Sequence, residues 1–561
     1  MRAGAAFVQQ CHTLYGDCFT LNLLGQRMTF LFAAPAIQHY FTAPDTEITF
    51  GPAVQQGLVA LDRRSGHGAG PQIFGLPPKH FFGKHYVMLS ALREQLAPAG
   101  LAGYGVTLQA LTEDELSLWP SSGKVELYGA LQYLVFKVAV STLFGRAFLQ
   151  AQGHQGALSL QHSFFQFEAA FELAASPVPH LFLPRFRRAR AHLLGALRAS
   201  YKAGHFQGTV ADALIQACGL PAECIPNMLL AMLWASQANS VPATFWSLAF
   251  LLLPENQHIQ RRLVMQLAAE DSTATGAQPE QRTHALPNGQ GTQQQQVQQS
   301  QQGSMHQAQP QQRHLRHTAG QQQAPAPSPV LAAALDRRSL LVLCVIEALR
   351  LRAMSIDVRI AASDVLLPAV TEGAKVLIQK ALMVAMSPTD KGSLVALSPY
   401  TSHQDPRLFG PTASQFDPDR DGMLFGGSHN PHAAVVGVGG LAGLSFGGGK
   451  YRCPGRHFAE VEVGLLLGLL LTRFKFQLVG ADPVIQASCS SGGSGNDGAK
   501  NGSEGPDSGS GQEGSVGSEC WPGDPGGLLP PCDMTRLVGL KVPAGPCWVR
   551  FERRAHTTTA C

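Results

Sequence analysis

The run from Pro226 to Leu253, PNMLLAMLWASQANSVPATFWSLAFLLL, is apolar around almost its whole circumference when drawn as a helix. A helix without a solvated face must be surrounded by other elements, so the sequence predicts a large domain built around a buried central helix. Pro242 lies inside this run and has no N–H, which leaves the Ala238 carbonyl without its helical partner. We therefore predict a kink at this point, with the polar side chain of Asn239 beside the freed carbonyl.

Helical patterns dominate the chain to about residue 220, and the strand-like segments are short. Two of them, CFTLNLL and RMTFLFAA, flank a turn at Gly25 and predict a hairpin near the N-terminus. LLVLCVIEALRLR predicts a helix, and RLVGLKV and CWVRFER predict a hairpin that closes the core. The predicted fold class is therefore mainly α with small β-sheets.

Two segments are too polar to join this core. Residues 271–330 are rich in Gln, Pro, Ser and His, and residues 485–530 are rich in Gly and Ser. Such segments cannot bury enough apolar surface to offset the entropy lost on ordering, so both are predicted to be disordered insertions. The rest of residues 1–561 is predicted to form a single domain.

Composition argues against several partners and compartments. The net charge is +4 over 561 residues, and no basic stripe with interleaved aromatics occurs, which argues against nucleic acid. The basic run at 184–198 is predicted to be a solvated helix face, with a membrane-surface role as the alternative. Eleven scattered cysteines lack zinc or disulfide spacing, which suits a reducing compartment. No segment has the apolar length of a transmembrane helix and no signal peptide follows Met1, so a missing N-terminal anchor is expected.

The loop FGGGKYRCPG, from Phe446 to Gly455, places one cysteine among glycines directly before an apolar helical run. Glycine permits positive φ, so the loop can fold closely around a bound group. Cys453 would meet the positive end of the helix dipole, and we expect this to favour the thiolate. The alternative is a structural turn with an inert cysteine. A phosphate cradle is excluded, because Tyr451 stands where such a loop needs Ser or Thr.

Three charged residues predict a buried network. Glu347 and Arg350 lie three apart on one face of an apolar helix, and such a pair is a weak signal when it is exposed. Arg420, in FDPDR, presents forked donors that fit a carboxylate. The apolar surroundings favour a structural network of all three side chains.

The kinked helix, the E-x-x-R helix, FDPDR and the cysteine loop, in this order, resemble the cytochrome P450 family. The resemblance implies that Cys453 is the axial thiolate ligand of the iron of haem b, held between the central helix and the cysteine loop, where a thiolate favours O–O cleavage. It also implies that Glu347, Arg350 and Arg420 support the haem from behind and take no part in catalysis.

The same resemblance assigns further residues to the haem. Phe446 would pack against the macrocycle, Gly447 and Arg452 would lie in the binding loop, and Arg359 would bind a propionate. Tyr451 departs from the pattern, because many members have a basic residue there. A hydroxyl binds a carboxylate more weakly than a cation does.

The central helix also departs from the usual pattern of an acid followed by a threonine, because Ala238 and Asn239 stand there. In this it is similar to the sterol 7α-hydroxylases, oxysterol 7α-hydroxylases and prostacyclin synthase. The segment YGDCFTLNLLGQRMTFLFAAP is similar to sterol 14α-demethylases. We expect protons to reach the site through water ordered by Asn239 and the Ala238 carbonyl.

The resemblance implies a monooxygenase that hydroxylates a sterol or related lipid, using dioxygen and electrons from NADPH delivered by a separate reductase. It also implies attachment to the endoplasmic reticulum membrane. Three alternatives stay open: a lipid peroxide isomerase of the prostacyclin synthase type, a sterol 14α-demethylase, and a haem protein without turnover.

Overall fold

The computed structural model describes residues 4–23, 26–50, 69–176, 178–276, 327–365, 389, 391–420, 441–479, 527–533 and 539–555. In this part of the chain the fold is mainly helical with two small sheets, as the sequence predicts. The helices of the first half are α1 Gly4–Tyr15, α2 Ala34–Thr42, α3 Ala69–Phe74, α4 Pro78–Gly83, α5 His85–Gln95, α6 Leu101–Ser117, α7 Leu127–Phe144, α8 Arg146–Gln150, α9 Gly153–Ala169, α10 Phe171–Ala175, α11 Pro184–Lys202 and α12 Val210–Cys218. Those that follow are α13 Ile225–Gln237, α14 Ser240–Leu251, α15 Gln257–Gly276, α16 Pro329–Leu335, α17 Leu340–Arg352, α18 Pro399–His403, α19 Pro406–Phe409 and α20 Arg456–Arg473.

The central helix is interrupted where the sequence predicts a kink. α13 ends at Gln237 and α14 begins at Ser240, so that Ala238 and Asn239 form the break. The interruption lies where the kink is predicted. The cause is the missing N–H of Pro242, which cannot bond to the carbonyl four residues before it.

The second half of the central helix lies in the middle of the core. Every residue of α14 is buried, and it packs against α7, α17 and α20. α20 is itself buried from Val461 to Leu471, so the apolar run after the cysteine loop is a core helix. Within the described residues, α7 is the one helix long and apolar enough to span a membrane by length and composition, and most of it is buried.

A five-stranded sheet joins the N-terminus to the segment after α17. Its strands are β1 Cys18–Leu23, β2 Gln26–Leu31, β3 Ile48–Thr49, β5 Asp357–Ala361 and β6 Leu394–Leu397, in the order β1-β2-β6-β5-β3. β1 and β2 pair antiparallel with Cys18 opposite Leu31, which confirms the N-terminal hairpin. β5 pairs antiparallel with β6, which fixes Arg359 opposite Val395.

A second sheet corrects one prediction. β8, Trp548–Arg553, pairs with β4, Ser122–Glu126, and with β7, Phe474–Leu478. The predicted hairpin between RLVGLKV and CWVRFER is therefore wrong in the described part. The N–H groups of Leu540 and Lys541 bond to groups on or beside helices instead, and the prolines between the two runs have no N–H for a ladder.

Most of the two predicted insertions lies outside the described residues, which omit 277–326 and 480–526. α15 continues to Gly276, so helix extends into the start of the first predicted insertion. The domain boundaries therefore stay a prediction.

Candidate functional site

The cysteine loop is held against α2 by close backbone contact. Gly449 has φ +61°, and a Cβ there would lie 2.1 Å from the Phe41 carbonyl oxygen. Only glycine fits such a position without displacing the neighbouring backbone. The Cys453 N–H donates to the Phe446 carbonyl at 2.9 Å, and α20 begins at Arg456. Cys453 thus lies just before the N-terminus of a buried helix, as the sequence predicts.

The Cys453 side chain is accessible to solvent although protein atoms surround it closely. Desolvation raises the pKa of this thiol, although the Gly455 N–H donates to the sulfur and Arg456 and Arg93 carry positive charge nearby. The Gly455 N–H thus favours the thiolate as expected, but desolvation is the larger effect and the net pKa is raised. A metal ion would supply the missing stabilisation, since thiolate ligands bind in the deprotonated form.

Buried polar atoms beside this loop fit the carboxylates of a haem. Arg359 is buried, donates to the Tyr40 and Gly448 carbonyls, and has an Nε without a partner. The Nε2 of His85, on α5, is also buried without a partner. A buried guanidinium with an unused N–H next to the cysteine loop is a site for an anion. The residues present therefore fit a haem held by Cys453.

The Tyr451 hydroxyl is already engaged. It donates to Asp45 at 2.6 Å and lies 2.5 Å from the Tyr86 hydroxyl, and Lys450 pairs with the same carboxylate. Burial would raise the pKa of Asp45, but hydrogen bonds from Lys450, Tyr451 and Tyr86 hold it below its usual value. A propionate role for this hydroxyl stays a prediction, because its proton goes to Asp45 here. The Tyr451 ring lies 5.1 Å from the Arg359 guanidinium.

The other loop residues assigned from the resemblance are partly buried. Phe446 packs at the edge of the main core, and the Arg452 carbonyl accepts from Arg93 at 3.4 Å. Gly447 has φ +66° and its carbonyl lies 3.5 Å from the Arg452 Nε. These contacts stiffen the loop around the sulfur, and the roles of all three toward a haem stay predictions.

The structure brings the three network residues together. The Nε and Nη2 atoms of Arg350 donate to the two carboxylate oxygens of Glu347 at 2.7 and 2.8 Å, and both side chains are fully buried. Arg420 lies 3.5 Å from the same carboxylate, and the Asp417 N–H donates to it at 3.0 Å. Such a pair is stable in the core only because its remaining hydrogen-bonding capacity is used.

Backbone carbonyls take up the remaining donors of Arg350. They belong to His403, Ala413 and Gln415. His403 also lies 2.9 Å through its Nδ1 from the Arg350 carbonyl. Sequence reasoning missed these acceptors because carbonyls leave no residue-type signal. The network ties α17 to the chain that leads into the cysteine loop.

The break in the central helix carries an accessible face. Ala235 and Asn239 are exposed and Ala238 is partly exposed, whereas most of the rest of the helix is buried. The Asn239 Oδ1 accepts the N–H of Leu540 at 2.9 Å. The Asn239 side chain therefore lies at the break, as predicted, and it has a hydrogen-bond partner, Leu540, that the sequence did not indicate.

Sequence reasoning also missed a carboxyl group beside the break. Glu462, on α20, is buried, and its Oε2 lies 2.8 Å from the Ser240 hydroxyl while its Oε1 has no partner. Desolvation raises the pKa of Glu462 to about 8, so the group is mostly neutral at pH 7. A neutral carboxyl can donate to Ser240, whose own proton can go to the Ser236 carbonyl.

Replacing Glu347 by glutamine will destabilise the protein by about 3–5 kcal/mol, because two buried guanidinium groups lose their counter-charge. Urea unfolding and the haem content after expression measure this loss. Asp419→Asn is the matched control, since its pair with Arg262 is exposed and contributes about 1 kcal/mol or less. Equal stability of the two variants would contradict a structural role for the network.

Glu462→Gln will change how stability depends on pH. The folded pKa of about 8 lies above the unfolded value of about 4.5, so the stabilising contribution is complete below the unfolded value. It falls by up to about 1.4 kcal/mol per pH unit as pH rises toward the folded pKa. Urea unfolding of both proteins from pH 5 to 8 tests this. As the pH rises, the protein with Glu462 should lose stability relative to the glutamine variant. Parallel curves would mean that the carboxyl titrates normally.

Comparisons with known proteins agree with this geometry. The sequence profile of the family described as Cytochrome P450 matches residues 332–492, which include Glu347, Arg350 and Cys453. The 24-hydroxycholesterol 7-alpha-hydroxylase of Mus musculus is 22% identical over 99% of this chain and 90% of its own length. The 7-alpha-hydroxycholest-4-en-3-one 12-alpha-hydroxylase of Homo sapiens is 25% identical over 85% and 83%, and the obtusifoliol 14-alpha demethylase of Sorghum bicolor is 21% identical over 86% and 83%. Residues 332–492 therefore resemble the cytochrome P450 family, and the chain is similar over most of its length to sterol hydroxylases.

Proposed function

We propose that the protein is a haem-thiolate monooxygenase that hydroxylates a sterol or a related lipid. The observation that carries this proposal is the Cys453 side chain, which is accessible just before the N-terminus of a buried helix. The sterol class rests on the relatives, which are named for sterol and oxysterol hydroxylation and match most of the chain. The oxidant is dioxygen, and the electrons come from NADPH through a partner reductase.

Each site residue has a separate task in this proposal. Cys453 would bind the iron through its sulfur, and Arg359 and His85 would bind the carboxylates of the haem. When bound, the haem with a thiolate ligand supplies the O–O cleavage that hydroxylation requires. Glu347 and Arg350 keep the loop and α17 in register behind the site, so that the sulfur stays in one position.

Proton supply is assigned to the break in the central helix. The Ala238 carbonyl has no N–H four residues ahead to bond to, because Pro242 stands there. A carbonyl without a helical partner and a neighbouring side-chain amide can hold a water molecule between them. We therefore propose that Ala238 and Asn239 would order a water molecule that can pass protons into the site.

The second candidate function is isomerisation of a lipid peroxide on the same haem. The observation that favours it is the residue pair at the break, where alanine and asparagine replace an acid and a threonine. A peroxide already contains both oxygen atoms, so its rearrangement needs neither a reductase nor protons from outside.

A carbon monoxide difference spectrum and a turnover assay test the proposal. The protein should give the thiolate-type band with carbon monoxide, and Cys453→Ser should abolish it. Cys18→Ser is the control and should keep the band, because Cys18 lies in the N-terminal hairpin. With NADPH, a reductase and dioxygen, a hydroxylated sterol should form from a panel that includes oxysterols and 14α-methyl sterols. A product formed from a lipid peroxide without NADPH, together with no hydroxylated sterol in the NADPH assay, would favour the isomerase.

We further propose that the protein associates with the endoplasmic reticulum membrane through the turn before α11. Leu181 and Phe182 are about 70% exposed there. Arg185, Arg187 and Arg188 follow directly and are exposed on the same helix end, within the basic run for which a membrane-surface role is the alternative prediction. Apolar side chains beside basic ones fit the interface of an anionic bilayer.

Leu181→Ser with Phe182→Ser should therefore weaken binding to vesicles of phosphatidylcholine and phosphatidylserine severalfold in a sedimentation assay. Leu118→Ser is the control, because Leu118 is 74% exposed on another part of the surface. Equal loss in both variants, or none in either, would contradict this docking surface.

A further inference from the structure

We propose that Asn239 is a positioning residue: its side-chain oxygen anchors residues 539–542, here called the C-terminal clamp, to the accessible face of the central helix. The clamp thereby sets the shape of the space that the substrate occupies. This inference rests on the proposed function for its consequence, whereas the anchor itself rests on geometry.

The clamp joins the two helices on which the site depends. The Leu540 N–H donates to the Asn239 Oδ1 at 2.9 Å, and the next N–H, of Lys541, donates to the Arg352 carbonyl at 3.2 Å. The Trp246 Nε1–H donates to the Lys541 carbonyl at 2.6 Å. Consecutive residues of the clamp therefore bond to α14, to the break before it and to the end of α17.

Gly539 lets the clamp approach this closely. It has φ +74°, and a Cβ there would lie 2.5 Å from the Asn239 Oδ1. A larger residue would have to push the amide oxygen away, and the oxygen would then leave the Leu540 N–H. The hydrogen bond between Asn239 and Leu540 thus depends on glycine at position 539 as well as on the asparagine.

The clamp bonds to Asn239, Trp246 and Arg352, and of these three residues Asn239 is the exposed one. Trp246 is fully buried and Arg352 is nearly so, whereas Asn239 is exposed on the face that also carries Ala235. A ligand on this face would meet both the helix and the clamp, so the contact between Asn239 and Leu540 decides how far apart they stand.

The anchor also fixes the direction of the amide. An asparagine side chain is planar, so an oxygen held by Leu540 leaves the NH2 group pointing in one direction. The same residue can therefore hold the clamp with its oxygen and present a fixed donor to a water molecule or a polar substrate group.

Gly539→Ala tests the anchor without touching Asn239. Hydrogen exchange of the peptide that contains residues 539–543, followed by mass spectrometry, should become roughly five- to tenfold faster, as expected for the loss of one hydrogen bond. Spectral titration with a sterol should show severalfold weaker binding, with an unchanged carbon monoxide spectrum. Gly527→Ala is the matched control, because Gly527 has φ +75° and nothing within 4 Å of an added Cβ.

Substitution of Asn239 gives a second measurement that does not depend on backbone strain. Asn239→Asp keeps an oxygen acceptor and should keep slow exchange at Leu540, whereas Asn239→Leu removes the acceptor and should match Gly539→Ala. Rescue by aspartate distinguishes the anchor from a general packing role.

Exchange at residues 539–543 that is the same in Gly539→Ala, Asn239→Leu and the unsubstituted protein would overturn the anchor. Faster exchange with unchanged sterol affinity would overturn its effect on the substrate space. A protein that gives no thiolate-type carbon monoxide band would instead refute the proposed function, and the exchange measurement would still decide the anchor.

Discussion

The buried pair of Glu347 and Arg350 is the interaction on which the rest of the site depends. A guanidinium group in the core is stable only if nearly all of its N–H donors have partners, and Arg350 distributes its donors over one carboxylate and three backbone carbonyls. Those carbonyls belong to residues 403–415, which precede the cysteine loop in the chain. The network therefore fixes the path of a segment that has little regular structure of its own. Because α17 also packs against the turn at Leu441–Phe446, the position of the sulfur follows from the position of this pair.

A second constraint acts on the sulfur itself. Burial raises the pKa of Cys453 in the absence of a ligand, so the protein provides a desolvated pocket and leaves ionisation to the metal. The Nε of Arg359 and the Nε2 of His85 likewise depend on a ligand, because each is a buried donor or acceptor without a partner in the protein. Buried groups of this kind are costly until a ligand satisfies them. Haem binding would relieve several such costs together, which couples the cofactor to the stability of the loop.

The sequence predicts those features that arise locally. The helix break follows from Pro242 alone, and the N-terminal hairpin follows from alternating residues around a turn. Both features could therefore be predicted from the local sequence without knowledge of the tertiary packing. The partners of residues 539–542 could not, because Leu540 and Lys541 bond to groups far away in the chain. The net direction of the Cys453 pKa shift could not be predicted for a related reason: the helix N-terminus is a local feature, whereas desolvation depends on everything that packs around the sulfur. Glu462 gave no signal, since a charged residue in an apolar run looks the same whether it is solvated or neutral.

The asparagine at the helix break has a structural explanation that a comparison of residue types does not provide. A threonine there would bring one hydroxyl and a shorter side chain, and its oxygen would not reach as far toward the Leu540 N–H as an amide oxygen does. An asparagine bonds to the clamp and still has two donors left. Gly539 has φ +74°, which favours glycine in its own right, and its missing Cβ also leaves room for the amide oxygen. The departure from the acid and threonine pattern is thus compatible with both hydroxylation and peroxide isomerisation. Asn239 determines the position of the C-terminal clamp in either case, and its effect on proton supply is a separate consequence.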